Sequence, residues 1–242
     1  MPILAVDAGN SRIKWGLWDG SWSHQDWLAT SELARLAEEW RTLPAPRLLV
    51  ACSVAPPAVA EWVETWTRQS GVSLRWVVSQ HEECGVRNGY LDPSQLGADR
   101  WAALIAAHHL VSGTVLTVSI GTAVTVDALA QDGQFLGGLI LPGLDLMAEA
   151  LAHGTSGLTR SHGAVTRFPR TTADAIASGA VQSVCGAIER MERVLAQRHP
   201  SPQILLTGGG AEVIRSCLER PALLVPNLVL EGLRIVAGSE LA

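Results

Sequence analysis

Val6-Asp7-Ala8-Gly9-Asn10-Ser11 and Val118-Ser119-Ile120-Gly121-Thr122-Ala123 lie 112 residues apart and follow one pattern. In each, an apolar strand ends at a small polar residue and a glycine, a hydroxyl or amide side chain follows, and a second strand begins. Both second strands run into Asp-Gly, at Asp19-Gly20 and Asp132-Gly133, a strong short-range hairpin signal. Self-similarity at a fixed offset marks a duplicated unit. Each copy here opens with a β-hairpin whose turn is rich in glycine.

Around these hairpins the hydrophobic spacing predicts strands over 3–7, 12–18, 47–52 and 73–79, with helices near 31–42, 57–69 and 98–111. Leu33, Leu36, Ala37 and Trp40 share one face of the first helix, and Val59, Trp62, Val63 and Trp66 one face of the second. Pro56-Pro57 suits the start of that second helix and Gly71 its end. The other half reads as strands 114–119, 123–129, 134–141 and 203–207, with helices near 143–152, 172–197 and 227–237. All nine Trp fall between Trp15 and Trp101, and this shift in composition sets a boundary near Ser112-Gly113. The expectation is an α/β chain of two domains, 1–112 and 113–242.

A chain of 242 residues suits one large domain or two compact ones. With 48 % apolar and 17 % charged residues it is too hydrophobic for disorder. It has no run approaching the roughly 18 apolar residues of a membrane span. The opening MPILAVDAGNSR lacks the charged start and apolar stretch of a signal peptide, so a cytoplasmic location is expected. Eighteen basic against 23 acidic residues leave a charge of −5, which disfavours nucleic acid and anionic membrane as partners. Cys52, Cys84, Cys185 and Cys217 are far apart, form no CxxC pair and read as reduced core thiols. The seven histidines show no metal-ligand spacing.

A tight turn without side-chain bulk lets backbone N–H groups converge on an anion. Gly9 and Gly121 permit that approach, and Asn10, Ser11 and Thr122 add side-chain donors. Asp7 suits a hydrated Mg2+ that bridges phosphate oxygens, and Lys14, the only lysine, lies just beyond the first turn. Two ordinary hairpins would look similar singly; the pair favours nucleotide binding. The Gly208–Gly210 triplet is weaker support, since a strand-to-helix turn commonly needs glycine anyway.

Further segments sharpen this reading. Asp7-Ala8-Gly9-Asn10-Ser11-Arg12-Ile13-Lys14 is followed by Asn88-Gly89-Tyr90 with Pro93, and then by Leu96-Gly97-Ala98-Asp99-Arg100-Trp101. After Gly121-Thr122-Ala123, with Thr125 and Asp127, come Gly137-Gly138 and Pro142-Gly143. Thr172-Ala173-Asp174-Ala175-Ile176, Ser178-Gly179 and Leu230-Glu231-Gly232-Leu233 complete the series. The ordered set resembles the type III pantothenate kinases of the actin-like sugar-kinase superfamily. The resemblance implies two similar actin-like (ribonuclease H-like) domains facing each other across an ATP cleft. It also implies transfer of the γ-phosphoryl of ATP to the primary hydroxyl of pantothenate, the first step toward coenzyme A. By it, Asp7, Ala8, Gly9, Asn10, Ser11, Arg12, Ile13 and Lys14 form the first ATP phosphate loop, and Thr122 contacts ATP from the second. Tyr90, Gly97, Ala98, Asp99, Arg100 and Thr172 match the pantothenate site, with Asp99 the proton acceptor. Homodimers, Mg2+ and a monovalent cation, potassium or ammonium, belong to the same pattern. The aspartate that holds that cation in many members is Ser119 here, so the cation requirement is in doubt.

The residues themselves leave alternatives. Phosphoryl transfer needs positioning, charge neutralisation and a group that orients or deprotonates the hydroxyl. Asp99 falls in the first turn of a helix, where the dipole favours a carboxylate; it either accepts the proton or only caps the helix. Arg100 offers a planar fork for a carboxylate or a surface ion pair. Tyr90 binds ligand or packs under the Pro93 loop, and Thr172 binds substrate or serves as an N-cap. The loop from His162 to Arg170 is polar and suits a lid. Competing functions are another actin-like phosphotransferase or phosphatase, or a non-catalytic nucleotide-binding regulator.

Overall fold

All six residues of Ile3–Ala8 are buried, so this strand needs cover on both faces. The computed structural model, which describes residues 2–155, 158 and 163–239, supplies it. The chain divides into two units, Met1–Leu110 with Asn227–Ala242, and Val111–Pro226. In the first, β1 (Ile3–Ala8), β2 (Arg12–Trp18) and β3 (Trp22–Ala29) form a meander. A 3-10 turn (Thr30–Arg35) leads into α1 (Leu36–Arg41), followed by β4 (Leu48–Ser53), α2 (Pro57–Ser70) and β5 (Ser73–Trp76). A small hairpin, β6 (Glu82–Glu83) and β7 (Val86–Arg87), precedes α3 (Ala98–Leu110).

The second unit repeats the plan with β8 (Val115–Ile120), β9 (Ala123–Leu129), β10 (Phe135–Pro142), α4 (Leu144–Gly154), α5 (Thr172–Ala196), β11 (Gln203–Thr207), α6 (Ala211–Cys217) and β12 (Ala222–Leu224). Strand order is β3-β2-β1-β4-β5 in one sheet and β10-β9-β8-β11-β12 in the other. In both, the first strand runs antiparallel to the second and parallel to the fourth. Ile3 and Val115, the heads of equivalent strands, reproduce the offset read from the two glycine turns. Among the described residues no helix is long and apolar enough to cross a membrane.

Strand alternation sorts the first sheet into two faces. Leu4, Val6, Ile13, Trp15, Leu49 and Ala51 pack beneath Trp40 of α1 and Val59 and Val63 of α2. Trp40 meets Trp15, Trp62 and Trp66 edge-on at 6.4, 5.5 and 4.9 Å between centroids, which accounts for much of the tryptophan in this half. The opposite face carries Asp7 and Cys52 and is covered by α3 and by a last helix, α7 (Leu228–Ser239).

That helix departs from the expected boundaries. Residues 227–239 belong with the first unit, not with everything after residue 113. Helix α3 is buried along Arg100–Ala107 and so needs a neighbour on the side away from the sheet. Helix α7 provides one: at Gly232 any side chain would collide with the Ala102 carbonyl, so the two backbones touch. Glu231 accepts from the Trp22 indole N–H and, at 2.9 Å, from Arg234, whose guanidinium lies 4.5 Å over Trp18. Five elements were not expected: β3, β6, β7, α6 and β12. The strand foreseen over 73–79 ends at Trp76.

Candidate active site

The β1–β2 hairpin sets Asp7 directly opposite Lys14. Parallel pairing with β4 sets Asp7 beside Cys52, whose thiol lies 3.8 Å from Asp7 Oδ1. Asp7 is 9 % exposed, and burial lifts its carboxyl from the usual 3.8 to about 6. Lys14 opposes the rise, the charge of Asp99 adds to it, and the thiol hydrogen bond works against it. Burial and the adjacent Asp7 push the Cys52 thiol well above its ordinary range, so it stays protonated and donates.

Beyond Asp7 the turn opens to solvent at Asn10, Ser11 and Arg12. The Gly9 N–H donates to the Arg12 carbonyl at 3.0 Å and closes the hairpin. Ala8 and Ile13 are wholly buried, so any nucleotide contact there is through backbone alone. The Arg12 guanidinium lies 4.2 Å over the Trp27 ring of β3.

Asp99 lies in the first turn of α3 and is half-buried. Its Oδ1 accepts from the Arg100 N–H at 2.8 Å, so it does engage a helix-terminal donor. The N–H of Trp101 goes to the Gly97 carbonyl at 2.9 Å. A Cβ on Gly97 would stand 2.6 Å from Asp99 Oδ1, so glycine there leaves the carboxylate its place. Arg100 is 6 % exposed and donates to the Tyr90 hydroxyl at 3.0 Å, so its guanidinium is a buried donor beside Tyr90.

Two braces hold these groups. Asn88, 7 % exposed, donates to the Pro93 carbonyl at 3.2 Å and accepts from the Tyr90 N–H at 3.0 Å, fixing the loop that presents Tyr90. Glu83 accepts from Arg75 at 2.8 Å and from the Trp101 indole at 3.0 Å, while Arg75 also reaches the Val236 carbonyl at 3.0 Å. This bridge ties β5, β6, α3 and α7 together two residues beyond Asp99. The roles of Glu83 and Cys52 have no local sequence signal, because each acts on a residue from a distant segment.

Residues 3–194 match the family described as type III pantothenate kinase. A type III pantothenate kinase from Aromatoleum aromaticum is 45 % identical over 241 residues, covering 99 % of each chain. The chain belongs to the type III pantothenate kinase family. A Baf-family protein from Campylobacter jejuni has the same fold, with a TM-score of 0.66 and 19 % identity over 99 % of this chain and 100 % of that one. The archaeal actin homologue Ta0583 shares the fold at a TM-score of 0.51 and 12 % identity, with both chains fully covered. The two-domain actin-like architecture expected from sequence is therefore present.

In this pantothenate kinase family member the second glycine turn, Gly121-Thr122, is exposed, and its Thr122 carbonyl accepts from Gly143 at 2.9 Å. Ser119 pairs with Thr125 on one side and Thr207 on the other, and Thr117 pairs with Asp127. Alternation puts all five on one face of the second sheet. Asp127 is 2 % exposed and stands two register positions from the Ser119–Thr125 pair, roughly 7 Å along the strand. Among the described residues the buried Thr117 hydroxyl has no hydrogen-bond partner. At the start of α5 the N-cap is Thr171, whose hydroxyl accepts from Asp174 at 3.1 Å. Thr172 is the exposed first helical residue, so N-cap duty does not fall to it. Gly208 adopts φ +95° against the Ile120 backbone, so glycine is required there by packing. Of the expected lid, His162 lies outside the described residues. Ala164 and Thr166 are tied to α5 through Asp174 and Ser178, at 2.8 and 3.0 Å. Cys52 and Cys185 are buried, Cys84 and Cys217 half-buried, and all four are free thiols.

Proposed function

We propose that this chain transfers the γ-phosphoryl of ATP to the primary hydroxyl of pantothenate, opening the route to coenzyme A. The observation that carries this reading is the convergence of Asp7, Lys14 and Asp99 in the first unit, with Tyr90 and Arg100 joined beside Asp99. Family membership supplies the substrate.

Asp99 takes the proton from the pantothenate hydroxyl as the phosphoryl arrives. A strong base is not needed for this, because in a loose transition state the proton leaves late. The Arg100 guanidinium, its plane set by the Tyr90 hydroxyl, suits the pantothenate carboxylate as a forked donor. The Gly9–Lys14 turn binds ATP phosphates through backbone amides, with Lys14 as a countercharge, and Thr122 makes a further ATP contact. Thr172 reaches pantothenate from a second copy of the chain, which makes the active form a homodimer. Exposed apolar residues on β10 and α4, Ile140 at 65 % and Leu151 at 42 %, are consistent with such a partner.

Mg2+ fits this site. A buried carboxyl held at about 6 is one that a cation returns to the ionised form. Among the described residues no group of three or more His, Cys, Asp or Glu is arranged to hold a metal. The ion would therefore be held by Asp7, waters and the ATP phosphates, as Mg2+ commonly is. When bound, it neutralises charge on the transferring group. A monovalent cation fits less well at Ser119, where hydroxyls replace a carboxylate, and weak dependence on it follows.

The test is transfer of labelled phosphate from ATP to pantothenate, beside a panel of sugars, acetate and polyphosphate. Turnover of another acceptor in preference to pantothenate, or nucleotide binding without any turnover, overturns the assignment.

A further inference from the structure

Thr30, the first residue after β3, grips the turn Gly9–Arg12 from outside. Its hydroxyl donates to the Gly9 carbonyl at 2.9 Å, and its backbone N–H donates to the Ser11 carbonyl at 3.1 Å. The N–H is one of those that the first turn of a helix leaves without an internal partner, so this bond costs the 3-10 turn nothing. Both bonds reach carbonyls inside the stretch assigned to ATP phosphates.

The consequence follows from peptide geometry. A peptide unit is planar and trans, so its C=O and N–H point to opposite sides. Holding the Gly9 carbonyl toward Thr30 directs the Asn10 N–H away from Thr30. Holding the Ser11 carbonyl does the same for the Arg12 N–H. A turn that receives an anion must keep carbonyl lone pairs off it as much as it must offer N–H groups, because a carbonyl facing phosphate repels it. Thr30 meets both needs with two donors. We infer that Thr30 is a positioning residue for nucleotide phosphates, holding the Gly9 and Ser11 carbonyls so that the Asn10 and Arg12 amides face the anion. The inference rests on reading Gly9–Lys14 as the ATP phosphate turn. It also gives β3 a purpose: this exposed, polar edge strand carries Thr30 to the turn and Trp27 to the side chain of Arg12.

Thr30→Val keeps the size and the backbone N–H and removes only the hydroxyl. We expect the KM for ATP to rise about three- to tenfold, the range spanned by one ordinary hydrogen bond. Both kcat at saturating ATP and the KM for pantothenate should stay within about twofold, the pattern of an interaction lost equally from ground and transition states. Thr30→Ser should restore the ATP KM, and direct titration with ADP should show the same order of affinity. Gly9→Val, which crowds the Arg12 carbonyl from within the turn, serves as the reference. An unchanged ATP KM in Thr30→Val, with ATP binding lost in Gly9→Val, overturns the role of Thr30 and leaves the phosphate turn standing. Normal ATP binding in both variants overturns the phosphate turn and the inference with it. A fall in kcat that shifts both KM values together and is not restored by serine assigns Thr30 to folding alone and also overturns the inference.

Discussion

Replacing Asp7 by asparagine should stabilise the metal-free protein while abolishing phosphoryl transfer. The carboxyl is buried and lifted from 3.8 to about 6, so ionising it in the folded state costs about 3 kcal/mol relative to the unfolded chain. The direction with pH follows from that inequality. The folded protein holds this proton more tightly than the unfolded one, so the contribution is fully present below pH 4. It is lost as pH rises through about 6. An isosteric amide carries no such loss. In chelator-containing buffer at pH 8, Asp7→Asn should therefore unfold about 5–10 °C higher than the parent. The two should converge near pH 4. Differential scanning calorimetry across this range, with circular dichroism to follow urea unfolding, provides the measurement. Adding Mg2+ and ATP should raise the parent's midpoint and leave the variant's nearly unmoved, because only the parent retains the anchoring carboxylate. A variant no more stable than the parent at pH 8, or a gap independent of pH, refutes the argument.

Asp99→Asn should lower turnover about 10²–10⁴-fold, the usual worth of a positioned base, with ATP affinity nearly unchanged; activity within about threefold of the parent removes Asp99 from the chemistry. Turnover in potassium buffer should exceed that in sodium or Tris at equal ionic strength by less than about tenfold, since cation sites depend on ligand charge and Ser119 supplies none. A larger rise would show that Asp127 and the neighbouring hydroxyls rebuild the site. Gly232→Ala forces α7 off the Ala102 carbonyl and should destabilise the first unit by about 3 kcal/mol, read as a lowered urea midpoint. An unaltered midpoint would mean that the α3–α7 contact is less close than described.

The hairpins at β1–β2 and β8–β9 were legible because each pairs a continuously apolar strand with a turn that only glycine and short polar residues tolerate. That reading put Lys14 just beyond the first turn; the register that sets it opposite Asp7 came from the strand pairing itself. Strand β3 was illegible for the opposite reason. Ser23 to Trp27 face solvent at a sheet edge, so no alternation marks them. Helix α7 was recognised as a helix, yet its apolar stripe suits either unit. Contacts between segments distant in sequence, such as that of Gly232 with Ala102, decide the matter. The same limit applies to the site. Tyr90 and Arg100 stand close in sequence and were read together, whereas Thr30, Cys52 and Glu83 act through strand order and packing that no local pattern encodes. At α5 the sequence offers two threonines in a row, and backbone geometry alone makes Thr171 the cap.

The return of α7 to the first unit also sets an order of events during synthesis. Val111–Pro226 is one uninterrupted stretch that has all its strands once it leaves the ribosome. The unit carrying Asp7 and Asp99 begins first but is completed last. Until residues 228–239 emerge, the buried side of α3 faces water, and elongation at about 5–20 residues per second makes that interval roughly ten seconds. A nascent chain stalled inside the second unit thus carries Asp7 and Asp99 on an uncovered helix and sheet. Chaperone capture and proteolytic clipping of stalled chains are expected to concentrate on residues before 110 rather than on the stretch most recently made.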